Sequence, residues 1–182
     1  MRANASRGGT RGLAIEPGFT LLELLVVIAI VAILAALLQT AYSRSVQAGK
    51  AAACTANLRQ IGMALNVYLG ENEMTFPALQ NRANVQDDVP ALDTFFLKYV
   101  QNPAVFACPA DNLKLAKTSG TSYYWTTALN GQHVASLSLL NLTEDHSRIP
   151  IIADKQGFHP YLNDKVNILY ADGHATKDLK FW

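Results

Sequence analysis

The sequence predicts an α+β fold: one long N-terminal helix, apolar along its first part and amphipathic along its second, packed on a small antiparallel sheet. Three observations carry this. The run Phe19–Leu38 is almost wholly apolar. It leads without a breaker into a stretch whose apolar residues recur at helical spacing. The last third of the chain holds short β-branched and aromatic runs, one of them followed by Asp172-Gly173.

Phe19 to Leu38 contains one charge, Glu23, and neither glycine nor proline. At about 1.5 Å per residue, about 20 helical residues span roughly 30 Å, the hydrocarbon core of a bilayer. A secretory signal peptide has a shorter apolar region of about 7–15 residues and then a small-residue cleavage site. No such site clearly interrupts this run, so a spanning helix fits better. Glu23 stands out because a carboxylate at mid-bilayer costs about 2.5–3.5 kcal/mol on insertion scales, and such acids usually face a partner. Nothing else in the segment neutralises it. A cut between Gly18 and Phe19 would create an α-amino group four residues upstream, able to pair with Glu23 of a neighbouring copy.

Gly18-Phe19-Thr20-Leu21-Leu22-Glu23-Leu24-Leu25-Val26-Val27 resembles the N-terminal signature of type IV prepilins and of the pseudopilins of type II secretion systems. The likeness is close from Gly18 to about Phe76 and looser beyond. It implies a pilin-like fold, cleavage after Gly18 by a prepilin peptidase, N-methylation of Phe19, and a part for Glu23 in subunit assembly. The implied partners are other copies or related pilin subunits, the peptidase and an inner-membrane assembly platform. Many major pilins carry a glycine and a proline within this helix; Ala32 and Thr40 stand at the equivalent places here.

The domain plan follows: a leader over 1–18, a transmembrane part over 19–38, the amphipathic continuation over 39–70, and a globular head over 71–182. Loss of the leader leaves 164 of 182 residues. It removes Arg2, Arg7, Arg11 and Glu16, taking 15 basic side chains to 12 and 14 acidic ones to 13. A near-neutral chain without a basic run gives no support for nucleic-acid binding. The three leader arginines, against Arg44 and Lys50 beyond the apolar run, favour a cytoplasmic N-terminus and a periplasmic head on a single-pass bacterial inner-membrane protein, extractable into a fibre.

Cys54 and Cys108 both follow the apolar run. On an oxidising side of the membrane, one bridge is the natural reading and two free buried thiols the alternative. Closing that loop would contribute about 4 kcal/mol on the chain-entropy account. Similarity of Phe106-Ala107-Cys108-Pro109-Ala110-Asp111 to the family's Cys-Pro segment favours the bridge.

Ala51, Cys54, Leu58, Ile61, Leu65 and Tyr68 form one helical face, while Lys50, Asn57, Arg59, Gln60 and Asn66 fall largely on the others. The helix therefore runs from about Thr20 to about Leu69 and ends at Gly70 and Glu71-Asn72-Glu73. Thr75–Val89 is aperiodic and reads as a loop, with Asp87-Asp88 solvated. Ala91–Val100 predicts a short helix stopped by Asn102-Pro103. Ser122–Thr127 predicts a strand, and the Ser/Leu alternation of His133–Leu142 favours another. Arg148–Ala153 predicts a strand in which Pro150 marks an edge or a start. Lys165–Ala171 and His174–Lys177 predict a hairpin with a two-residue type I′ turn at Asp172-Gly173. Tyr123, Tyr124 and Trp125 cannot all face one side of a strand. The terminal pair Phe181-Trp182 either tucks under the sheet or meets a partner.

Chemistry is sparse. There is no nucleophile elbow, no His-Glu-x-x-His and no phosphate loop, so no enzyme activity is expected. Histidines 133, 146, 159 and 174 lie near turns, where exposure is the default. Many prepilin-like proteins place a histidine some nine residues before a C-terminal Asp-Gly. His159 with Asp172-Gly173 is the counterpart here, with 12 residues between. No metal is expected from known spacings. The resemblance to pseudopilins that hold calcium in C-terminal loops makes Asp154, Asp164 and Asp172 calcium candidates. The functional reading is a structural subunit of a type IV pilus or type II secretion pseudopilus. The alternative is a membrane-tethered periplasmic module that grips a glycan or a secretion substrate through the aromatic cluster around Trp125.

Overall fold

The computed structural model describes residues 19–139, 144–160 and 165–177. The chain divides into two compact units, one reaching Ala41 and one starting at Tyr42. Helix α1 is Leu21–Glu71. The first unit contributes its apolar part, and every residue from Phe19 to Ala41 is exposed. Thr40 sits within the helix and donates its hydroxyl to the Leu37 carbonyl at 2.9 Å, so the helix passes through Ala32 and Thr40 unbroken.

In the second unit α1 buries Ala51, Cys54, Thr55, Leu58, Ile61, Gly62, Ala64, Leu65 and Leu69, the face that the spacing predicts. Gly62 lies against β3 (Ile168–Tyr170): an added Cβ would come within 3.1 Å of the Leu169 side chain. The helix continues through Gly70 to Glu71. Asn72 then donates its side-chain amide to the Tyr68 carbonyl at 2.8 Å, and the amide of Met74 donates to Leu69 at 2.9 Å. Glu73 and Met74 take left-handed backbone conformations at φ 51° and 55° to turn the chain. Carbonyls at the helix end thus find donors beyond Gly70.

Helix α2 is Leu92–Val100 and α3 is Leu115–Ser119. Tyr68, Phe95, Phe96 and Tyr99 form a cluster of edge-on and tilted rings, and Phe96 and Phe76 both reach Trp125. Arg82 pairs with Asp93 of α2, and Gly120, at φ 85°, leaves room for that pair; a Cβ there would collide with both side chains.

The sheet has four antiparallel strands in the order β1 (Tyr123–Trp125), β2 (Pro150–Asp154), β3, β4 (Ala175–Thr176). Pro150 opens the interior strand β2, opposite Tyr170, and the register shifts between Pro150 and Ile152. Of the two roles its sequence allows, it takes the strand start. On β1, Tyr123 and Trp125 are buried and Tyr124 is 46% exposed.

Two expectations are corrected. The strand expected from His133 is replaced by a short 3-10 turn at Val134–Ser136, with residues 140–142 outside the described set. The turn is closed by His133, whose carbonyl accepts from the Ser136 amide and whose Nδ1 accepts from the Ala135 amide, both at 3.0 Å. Beyond it, the Gln132 side chain accepts from the Ser138 amide at 2.9 Å and donates to the Ser138 carbonyl at 3.1 Å. It thereby occupies backbone groups that a neighbouring strand would need. The β3–β4 turn has three residues rather than two, because Leu169 pairs with Ala175 and the Gly173 amide donates to Tyr170 at 2.9 Å. Of its residues only Gly173, at φ 88°, is left-handed, which is the geometry of a type I turn closed by a glycine bulge.

The alternation on β1 sets a contrast. Trp125→Ala should cost about 3–5 kcal/mol, and Tyr124→Ala should stay within about 0.5 kcal/mol, in urea unfolding of the full chain in detergent followed by circular dichroism.

Candidate functional site

The first site is the exposed apolar segment and its acid. Phe19 is 82% exposed, and every residue from Phe19 to Ala41 is exposed among the described residues. Such a surface is stable only in lipid or against other apolar surfaces. Thr20 precedes the helix and Glu23 is its third residue, the positions of a capping box. The Glu23 amide donates to Thr20 Oγ1 at 3.2 Å. Glu23 Oε2 accepts from the Thr20 amide at 2.9 Å and from its hydroxyl at 2.8 Å. Thr20 is a residue that the charge-based reading of Glu23 overlooks, although Thr-x-x-Glu ahead of an apolar run is a legible capping pattern. The box holds the carboxylate on Thr20, at the start of α1. Gly18, on the other side of the expected cut, lies outside the described residues, as does the leader.

The second site is the Cys-Pro region. Cys54 and Cys108 are joined by a disulfide, and both are buried. The Cys108 amide donates to Ser122 Oγ at 3.1 Å, and Ser122 Oγ donates to Asp111 Oδ2 at 2.8 Å. Burial works against the Asp111 carboxylate. The Ala116 amide, the Ser122 hydroxyl and the amides of Leu115 and Leu113 outweigh it and hold its pKa below the ordinary carboxylate value.

His159 is buried, against the exposure expected of it: its side chain is 1% exposed, and Nε2 lies 3.2 Å from Asp154 Oδ2, itself buried. Asp154 Oδ2 accepts from the Asn167 amide at 2.7 Å and from its side chain at 3.1 Å, and Thr55 of α1 donates to Asn167 Oδ1 at 3.0 Å. Thr55 and Asn167 carry no motif in the sequence, and only the fold brings them to this network.

Asp172 lies beyond Tyr170, at the Pro150 end of the β2–β3 ladder, whereas Asp154 follows Ala153 at the other end, opposite Ile168. His159 and Asp172-Gly173 therefore do not meet. Asp172 pairs with His174, whose ring stacks on Tyr170 at 4.6 Å between centroids. Of the three calcium candidates, Asp154 and Asp172 are thus apart, and Asp164 lies outside the described residues. Asp87 and Asp88 are exposed, and Asp87 accepts from the amides of Ala83 and Asn84. Trp125 is buried and donates its indole N–H to Asn130, so only Tyr124 of that aromatic run faces outward. Phe181 and Trp182 lie outside the described residues.

Residues 16–38 match the family model of the prokaryotic N-terminal methylation motif. The chain carries a prepilin-type N-terminal signal. The match spans the expected cut and the apolar segment, and it marks a type IV pilin- or pseudopilin-like protein, a reading that the α+β architecture with its long first helix accompanies. The signal and the one apolar helix also fit a membrane-anchored protein. No curated protein and no solved structure matches the chain.

Asp111 gives a pH prediction. Its folded pKa lies below the roughly 3.9 of an unfolded aspartate, so its contribution to stability is complete above that value and is lost as pH falls through the folded one. Asp111→Asn should therefore lower the stability of the full chain at neutral pH, and the difference from wild type should shrink as pH drops below about 4. Urea titrations at a series of pH values read this directly.

Proposed function

We propose that this protein is a structural subunit of a fibre of the type IV pilus or secretion-pseudopilus kind, cut between Gly18 and Phe19, methylated at Phe19 and assembled through the apolar part of α1. The observation that carries the proposal is the pairing of an apolar helical segment, exposed at every residue from Phe19 to Ala41, with one carboxylate fixed at its start by Thr20. In the bilayer the apolar surface is satisfied by lipid. On extraction it is buried against the same segment of other copies, where dispersion packing replaces lipid contacts.

Glu23 supplies register. Cleavage would leave an α-ammonium on Phe19, and a carboxylate held at the helix start can accept from the ammonium of a neighbouring copy. In a low-dielectric bundle an unpaired carboxylate is costly, so only the arrangement that pairs every Glu23 is favoured. The role of the head in this account is structural, and the peptidase and the assembly platform are the expected partners in the inner membrane.

Glu23→Ala should leave membrane insertion unchanged and abolish fibres, read by membrane fractionation together with electron microscopy of sheared surface material. Normal fibres from that variant would contradict the role assigned to Glu23.

A further inference from the structure

The buried disulfide has an unusual neighbourhood. His159 Nε2 lies 3.6 Å from Cys108 Sγ, and the two sulfurs and this nitrogen all lie within 4.8 Å of one another. Asp154 Oδ2 is 3.2 Å from the same nitrogen. Cys54 comes from α1, Cys108 from the segment before α3, Asp154 from the end of β2 and His159 from the chain beyond it. All four are buried.

Two thiol sulfurs, an imidazole nitrogen and a carboxylate are a donor set that zinc takes. With Zn–S near 2.3 Å, Zn–N about 2.0–2.1 Å and Zn–O about 2.0–2.2 Å, a tetrahedron has S···N edges of about 3.6 Å and N···O edges of about 3.4 Å. The Cys108 sulfur–nitrogen distance and the nitrogen–oxygen distance are near these values. The two bonded sulfurs must part to about 3.8 Å. The Asp154 carboxylate, which lies outside the 4.8 Å group formed by the two sulfurs and the nitrogen, must close on the sulfurs. The carboxylate has capacity for the task. Its Oδ2 is oriented by Asn167, which Thr55 holds in turn, while Oδ1 is buried without a hydrogen-bond partner among the described residues. An oriented ligand carboxylate backed by a hydrogen-bonded outer layer is the usual construction of protein metal sites.

We propose that the dithiol form of the chain binds one zinc(II) ion through Cys54 Sγ, Cys108 Sγ, His159 Nε2 and the Asp154 carboxylate. A dithiol reductant breaks the Sγ–Sγ bond in a two-electron step, delivering two hydrogens to the cysteines and itself becoming a disulfide. Zinc then replaces the two thiol protons, which are released to solvent. The metal joins α1 to the chain around β2 as the disulfide does, so the head has two alternative staples at one place. Bound zinc also withholds both thiolates from oxidation and alkylation.

The test uses the full chain in detergent, reduced with a phosphine, freed of it without air, and titrated with cobalt(II) and then zinc(II). The expected result is one cobalt per chain with tetrahedral d–d bands and thiolate-to-cobalt charge transfer, displaced by zinc, and none of this in the oxidised chain. Outer-layer changes alone cost about 10–100-fold in affinity, so His159→Gln should weaken zinc binding by at least about tenfold. X-ray absorption of the wild-type zinc form should show two sulfur and two nitrogen or oxygen neighbours, which keeps the test independent of whether the variant folds. A reduced chain that binds no cobalt, folded or not, or a zinc shell without sulfur, overturns the proposal.

Discussion

A single helix with two different apolar demands sets the terms for the whole protein. From Tyr42 on, α1 presents a stripe that its own chain covers, with Cys54, Leu58, Ile61 and Leu65 at the centre. Before that point it presents apolar residues on every side, and among the described residues all of them are exposed. The first demand is met by folding and the second only by a membrane or by other molecules. The rest of the molecule serves the covered stripe: α2 brings a cluster of rings to Tyr68, and β3 approaches α1 closely at Gly62, where an added Cβ would crowd the Leu169 side chain.

Polar groups fix how that packing is joined. The disulfide ties α1 to the segment before α3, and the hydrogen bond from Thr55 to Asn167 ties it to the residue just before β3. Asn167 in turn anchors Asp154, and Asp154 holds His159. Buried polar groups are costly unless they find partners, so this chain of contacts selects one placement of helix against sheet where apolar packing alone would accept several. At the other end of α1, Thr20 and Glu23 perform a comparable local service, satisfying helix-start donors while presenting a carboxylate.

Much of this was legible in the residues, and what was not has physical reasons. The spacing of Cys54, Leu58, Ile61 and Leu65 identified the covered face because a helix repeats a direction every three or four residues. Tyr123, Tyr124 and Trp125 declared an alternating strand for the same kind of reason. Asp172-Gly173 marks the place of the turn and not its length, since loop length depends on the register of Leu169 with Ala175, a pairing that local sequence does not encode. The Ser/Leu alternation after His133 suggested a strand, and one glutamine side chain, Gln132, satisfied the backbone in its place. The expected exposure of His159 fails because its burial depends on Asp154, five residues earlier, being turned inward toward Asn167. Such long-range polar pairings leave no periodic trace.

The central claim is that the chain becomes a new N-terminus joined to an oxidised head, and intact mass of the protein from its native membranes tests this most directly, with and without reductant. The account predicts a species beginning at Phe19, heavier by one methyl group and gaining two hydrogens on reduction. A chain still beginning at Met1 would contradict it, because Glu23 would then have no terminal ammonium of a neighbour to meet.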